Sequence, residues 1–259
     1  MNWFSSFYSI FFRTWLKVLR RPVILLLSFL QPLIWMSFFG FLFQRFPLGE
    51  MPAGVRYIDF LVPGICVMTV LIGASQSGIG LIRDMQTGFL DRMLYSPANN
   101  LAMLAGKFSA DVLRLLIQAL VVAIIGMSIG ARFDIDLMGL IYSVVCLIIF
   151  AGGYCLLSCW IALITRKQET MASFVHLVNM PIFFTSTALV PAKQMPGWLE
   201  NIATWNPLTQ VVEPLRASIV YGTSQTTITS LAILIVLFGL LSGLTIYQWN
   251  SYLKNQEAS

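Results

Sequence analysis

The chain has 259 residues, 58% of them hydrophobic and only 10% charged, with a mean hydropathy of +0.80, whereas soluble domains carry about 25% charged residues. This composition is that of an integral membrane protein, and it excludes a soluble enzyme, a nucleic-acid-binding module and a disordered chain. The net charge of +5 is therefore read by position, because basic residues of membrane proteins concentrate in cytoplasmic loops.

Residues Asn2 to Arg21 carry Trp3, Phe4, Phe7, Phe11, Trp15 and Leu19 on one side and Ser9, Arg13, Lys17 and Arg20 on another, at helical spacing. This pattern predicts an interfacial amphipathic helix. Its basic residues follow its apolar ones and no small-residue cleavage site precedes Pro22, so it is not read as a cleavable signal peptide.

About 20 apolar residues are needed to cross the hydrocarbon core. Charge-free windows predict six spans: 23–43, 60–82, 108–130, 137–164, 170–190 and 227–249. The third is the least clear, since Lys107, Asp111 and Arg114 occupy its first turns. Those three share a helical face, where a local ion pair snorkelling to water competes with a role in transmitting force. With both termini inside, eleven of the sixteen basic residues fall on the cytoplasmic side, the densest group being Arg13, Lys17, Arg20 and Arg21. The positive-inside rule thus favours both termini in the cytoplasm.

Between the second and third spans, acids and bases alternate around Phe89, Leu90, Met93 and Leu94, and Pro97 follows. An amphipathic cytoplasmic helix over 84–94 is expected, either as a solvated cap or as a docking surface. Residues 191–226 are mostly uncharged and include Trp198, Trp205, Val211, Val212 and Leu215; they are expected to form short re-entrant outer helices, shielded by protein. Glu213 and Arg216, at i and i+3, form a structural pair in that segment. Gly126-x-x-x-Gly130 and Gly239-x-x-x-Gly243 suit close helix crossings within the chain.

Chemical machinery is sparse. Gly106-Lys107-Phe108 lacks both the preceding glycine and the hydroxyl residue of a phosphate-binding loop. The four cysteines sit in apolar runs without disulfide or metal spacing. No acidic residue is expected at the centre of a span; the polar groups at that depth are Gln31, Gln76, Gln118, His176, Asn179 and Thr185 to Thr187. An intramembrane hydrolase would have to use His176, the single histidine, with a serine. An ion-coupled secondary transporter would be expected to show repeat symmetry between the chain halves, and none is visible.

The stretch Leu61-Val62-Pro63-Gly64, then Asp84 to Gly88 and Leu90-Asp91 to Leu94 with Pro97, resembles the permease subunit of type-2 ATP-binding-cassette exporters, particularly the daunorubicin-resistance-type branch. Arg20-Arg21-Pro22 leading to Gln31-Pro32, Leu189-Val190-Pro191, Met195-Pro196-Gly197-Trp198 and Asn206-Pro207-Leu208-Thr209 extend the resemblance over nearly the whole chain. Met85 and Gln86 depart from it, standing where members often carry a further basic and acidic residue.

The resemblance implies an all-α, six-span permease that is not itself an enzyme. It would bind no cofactor, ATP being held by a separate ATP-binding-cassette ATPase subunit. It would pair with a second permease copy, a homodimer partner or close homologue, among membrane lipids in a bacterial cytoplasmic (inner) membrane. Coupling to the ATPase would fall to Asp84, Gly88, Phe89, Leu90, Asp91 and Leu94. The translocation pathway would involve Gln31, Gln76, His176, Asn179 and Phe183, and the cargo would be an amphipathic drug, lipid or glycan-type molecule. Gln31 before Pro32, and Asn179 before Pro181, serve equally well to satisfy backbone groups freed at helix kinks.

Overall fold

Backbone amides in hydrocarbon can be satisfied only within the protein, so long apolar segments become helices. A computed structural model describes residues 3–20, 22–43, 55–94, 100–221 and 228–257, and these form an all-helical protein without strands. The helices are α1 (Trp3–Leu19), α2 (Pro22–Leu42), α3 (Tyr57–Gln86), α4 (Phe89–Leu94), α5 (Asn100–Ile129), α6 (Leu137–Thr165), α7 (Gln168–Phe184), α8 (Gly197–Trp205), α9 (Thr209–Ile219) and α10 (Ile228–Glu257).

Among the described residues, four helical stretches are long and apolar enough to cross a membrane: Tyr57–Gln86, Leu101–Ile129, Leu137–Thr165 and Thr229–Tyr252, with Leu26–Leu42 as a shorter apolar helix. The six expected spans are thus not reproduced in detail. The third begins earlier, at Asn100, because Leu101 to Ala105 are good helix formers, which places Asp111 three turns inside the helix. The fifth stops at Phe184 instead of running to residue 190.

That early stop is held by side chains from elsewhere in the chain. Asn206 donates to the Ile182 carbonyl at 2.7 Å and to the Thr185 hydroxyl at 2.9 Å, the Thr187 amide donates to the Thr209 hydroxyl, and the Tyr57 hydroxyl donates to the Leu189 carbonyl. Irregular backbone is therefore enclosed by polar partners, the condition for tolerating it at depth.

Of the four long apolar stretches α3 is the most enclosed and α10 the least; α3 packs against α2, α5, α6, α7 and α9. One end of α3 meets α9, and the other meets α1, α4 and the C-terminal part of α10. Helix α1 lies along α5. Their approach requires Gly106, where a Cβ would come within 2.5 Å of the Phe7 carbonyl oxygen. Of the two small-residue pairs, Gly126 packs on Val62, whereas Gly239 and Gly243 meet nothing within 4 Å, so the α10 pair makes no close crossing among the described residues.

Candidate functional site

The chain turns sharply after α3. Gly88 has φ +62°, a left-handed conformation that glycine adopts without steric penalty, and α4 begins at the next residue. The expected continuous helix over 84–94 is therefore divided: Asp84 belongs to the last turn of α3, and only residues 89–94 form α4. The turn is fastened by Arg92, whose guanidinium donates to the Gly88 and Thr87 carbonyls, each at 3.1 Å.

Three elements converge on this hook. Lys17 of α1 donates to Asp84 Oδ1 at 2.8 Å, and Arg13 Nη2 lies 4.0 Å from the same oxygen. The Arg13 guanidinium carbon sits 3.3 Å from the Phe89 ring centre. Burial lowers Arg13 from its ordinary value, opposed by the Asp84 carboxylate, but arginine keeps its charge in proteins. Leu90 is buried in a cluster with Leu81, Ile82, Leu104, Trp249 and Tyr252. Thus α1 is tied to the end of α3 by the Lys17–Asp84 ion pair and to α4 by the Arg13–Phe89 contact, and α4 joins α3, α5 and α10 by apolar packing. Asp91 and Leu94 fall within the α4 backbone, but their side chains lie outside the described residues.

Beside the hook, α1, α2, α3 and α5 enclose a cavity of about 450 Å³. Gln31 and Gln76 line it, both exposed, as do Pro32, Gln118 and Asp84. Its floor is polar: Lys107 donates to Asp111 Oδ2 at 2.8 Å and to the Ser77 hydroxyl at 3.1 Å, and that hydroxyl donates to Asp111. The local ion pair expected from sequence is present, but Lys107 does not snorkel. Both side chains are largely enclosed, because Ser77 on α3 supplies the partner that water would otherwise supply.

The remaining pathway candidates stand elsewhere. His176 is exposed on α7 and has no side-chain hydrogen bond among the described residues. Asn179 is buried, donating to the Ser75 hydroxyl at 2.8 Å and accepting from the Tyr154 hydroxyl at 2.6 Å. Phe183 is also buried, edge-on to Trp35 with centroids 5.6 Å apart. The structure therefore brings Gln31 and Gln76 together and places Asn179 and Phe183 in packing contacts that join α7 to α2, α3 and α6.

At the opposite end of α3, Arg216 and Glu213 are paired at 2.8 Å. Arg216 is only 1% exposed. It also donates to the Phe60 carbonyl at 3.2 Å and the Thr187 carbonyl at 3.1 Å, and lies 3.5 Å from the Phe60 ring centre. Nearby, buried Asp59 accepts from the Arg56 and Arg132 backbone amides at 2.9 and 2.6 Å, and its carboxylate also binds the Arg56 guanidinium at 3.0 Å. Sequence reasoning did not single out Asp59. Its signal was local, an acid three residues after Arg56 at a helix start.

Among the described residues, no group of three or more His, Cys, Asp or Glu is gathered that could hold a metal. The four cysteines are free and buried.

The family model for ABC-2 type transporters matches residues 5–220. The chain belongs to the ABC-2 transporter permease family. This permease is 34% identical over 206 residues to the putative transport permease ycf38 of Cyanophora paradoxa, covering 79% of this chain and 70% of the relative. It is 27% identical over 203 residues to the daunorubicin resistance ABC transporter permease protein DrrB1 of Streptomyces coeruleorubidus, covering 78% and 70%. A probable multidrug ABC transporter permease of Escherichia coli K12, YbhR, is 27% identical over 154 residues, covering 59% of this chain and 41% of that protein. The permease is thus a transport protein of the membrane, related to subunits named for drug resistance.

Proposed function

We propose that this permease is the membrane-spanning subunit of an ATP-driven exporter, moving an amphipathic drug, lipid or glycan-type molecule outward. A separate ATP-binding-cassette subunit would hold and hydrolyse ATP. Two permease chains, identical or closely homologous, would form the membrane part. The α1 end, with both termini, faces the cytoplasm of a bacterial inner membrane, in keeping with the basic residues Arg13, Lys17, Arg20, Arg83 and Arg92 gathered there.

The observation that carries this reading is the hook at Gly88. A short helix attached to the most enclosed long helix by one tight turn, and clasped by α1 through Asp84 and Phe89, can pass a displacement of its partner directly into the spans. Phe89, Asp91 and Leu94 would meet the ATPase, while Asp84, Gly88 and Leu90 set the angle of α4. Gln31 and Gln76 would belong to the pathway. Asn179 and Phe183 would support it by fixing α7, and His176, on the exposed face of α7, would be available to the second copy.

The test is gentle-detergent purification from native membranes, mass spectrometry of co-purifying chains and an ATPase assay. A stoichiometric ATP-binding-cassette subunit, lost in Gly88→Pro and Asp84→Arg while the permease remains folded in the membrane, is the expected result. Purification of the chain alone after crosslinking would remove the mechanism and favour a self-sufficient transporter or an intramembrane hydrolase.

A further inference from the structure

Within the described residues, the cavity between α1, α2, α3 and α5 is lined by five cationic side chains, Arg13, Lys17, Arg83, Lys107 and Arg114, against two carboxylates, Asp84 and Asp111. Both carboxylates are already engaged, Asp84 by Lys17 and Asp111 by Lys107 and Ser77. Arg83 is exposed, and its side chain has no partner among the described residues. The remaining positive charge therefore has no carboxylate counterion in the cavity lining among the described residues.

Two buried atoms sharpen this imbalance. Arg114 spends one donor on the Gly73 carbonyl at 3.0 Å, but its Nε has no hydrogen-bond partner among the described residues. One turn farther along α5, Gln118 is 3% exposed and donates to the Ser28 hydroxyl at 2.7 Å, while its Oε1 is unpartnered. A buried donor left unmet is costly unless something fills it. An anionic oxygen presented to Arg114 Nε would do so, and a hydroxyl on the same ligand would satisfy Gln118 Oε1.

The cavity wall also has an apolar side, formed by Val18, Leu27, Pro32, Ile72 and Ile79, and Leu27 is exposed at its margin. A ligand matching both sides has an anionic head and an apolar tail. We propose that this cavity binds the phosphate-type headgroup of an anionic amphiphile, with the tail leaving past Leu27 of α2. The proposal rests on the reading of the chain as a membrane permease and narrows its cargo or lipid ligand to anions. A cationic amphiphile would meet uncompensated like charge here.

The experiment uses the full chain, together with any ATPase subunit that accompanies it, in dodecylmaltoside micelles without ATP. A tail-labelled fluorescent phosphatidylglycerol is the probe, displaced in turn by unlabelled phosphatidylglycerol, phosphatidylcholine, inorganic phosphate and a cationic amphiphile. Phosphatidylglycerol is expected to displace at a concentration about tenfold lower than phosphatidylcholine, in line with attraction to several clustered cations, and inorganic phosphate is not expected to compete. Arg114→Gln and Arg83→Gln should each shrink that preference several-fold. Because Arg83 is exposed and unpaired, its variant tests the charge even if Arg114→Gln misfolds. Equal displacement by phosphatidylcholine, stronger displacement by the cation, or an unchanged preference in Arg83→Gln would overturn the proposal. Displacement by inorganic phosphate alone would overturn the amphiphile and leave a free-anion site. Since no ATP is present, a chain that binds the probe but recruits no ATPase loses the exporter reading and keeps this one.

Discussion

The Arg13 guanidinium carbon lies over Phe89, 3.3 Å from the ring centre, so the first helix of the chain is in contact with the first residue of the short helix that follows α3. A cation over an aromatic face contributes about 1 kcal/mol when partly shielded from water. The same pair lies beside the Asp84 ion pair, so α1 and α4 are expected to move together.

Phe89→Ala should leave the permease folded, since Leu90 still anchors α4, but weaken the link to α1. On the proposed exporter reading, cargo-stimulated ATP hydrolysis by the complex with its ATPase is expected to fall about fivefold, the equivalent of about 1 kcal/mol, and Phe89→Tyr should retain it. Full stimulation in Phe89→Ala would show that this contact does not transmit the stroke.

Arg216→Ala removes a buried cation that joins α9 to the Phe60 and Thr187 carbonyls. The Phe60 and Thr187 carbonyls then lose their donor, each at about 1–3 kcal/mol, so the protein level in membranes should drop sharply. Arg216→Lys should rescue it only in part, because an ammonium lacks the planar fork. Glu213 is 47% exposed at its side chain, but Glu213→Gln leaves the enclosed Arg216 cation without its carboxylate and should cost about 1–3 kcal/mol. Thermal unfolding in detergent would read all three.

Asn179→Leu leaves the Tyr154 and Ser75 hydroxyls short of a partner. The expected loss is about 1–3 kcal/mol of stability, with cargo selectivity unchanged. Adding Tyr154→Phe should recover part of it, because the Tyr154 hydroxyl is then gone while Ser75 still donates to the Leu71 carbonyl. A change in cargo profile without loss of stability would return Asn179 to the pathway.

His176→Ala is expected to keep transport within about twofold, as is usual for exposed positions without partners. Flux assays in vesicles would check it, and complete loss of function would support a histidine-dependent hydrolase instead.

Much of the fold was legible because long apolar windows have few structural choices in a membrane, and the stretches within α3, α5, α6 and α10 follow from them. The Glu213–Arg216 pair was legible because i,i+3 spacing is local. The end of α7 was not: Ala188, Leu189 and Val190 are as apolar as a span, and it takes Tyr57, Asn206, Thr209 and Arg216, distant in sequence, to reveal that the backbone there is irregular. Nor was the partner of Asp84, since Lys17 lies 67 positions away. Lys107 was expected at the water surface because hydropathy reads one helix at a time, whereas its burial depends on Ser77 of a neighbouring helix.

The Arg216 contacts also bear on how the chain is made. Its carbonyl acceptors, on Phe60 and Thr187, precede it by 156 and 29 positions, so both are synthesised before the guanidinium leaves the ribosome. Until α9 arrives, the segment after Phe184 lacks the Asn206, Thr209 and Arg216 contacts that make its open backbone tolerable. Seating Arg216 is therefore a late latch in biogenesis. Chains interrupted before it would have their earlier helices inserted yet remain unsealed at that end, and membrane proteases that survey new proteins would meet them as unfinished products.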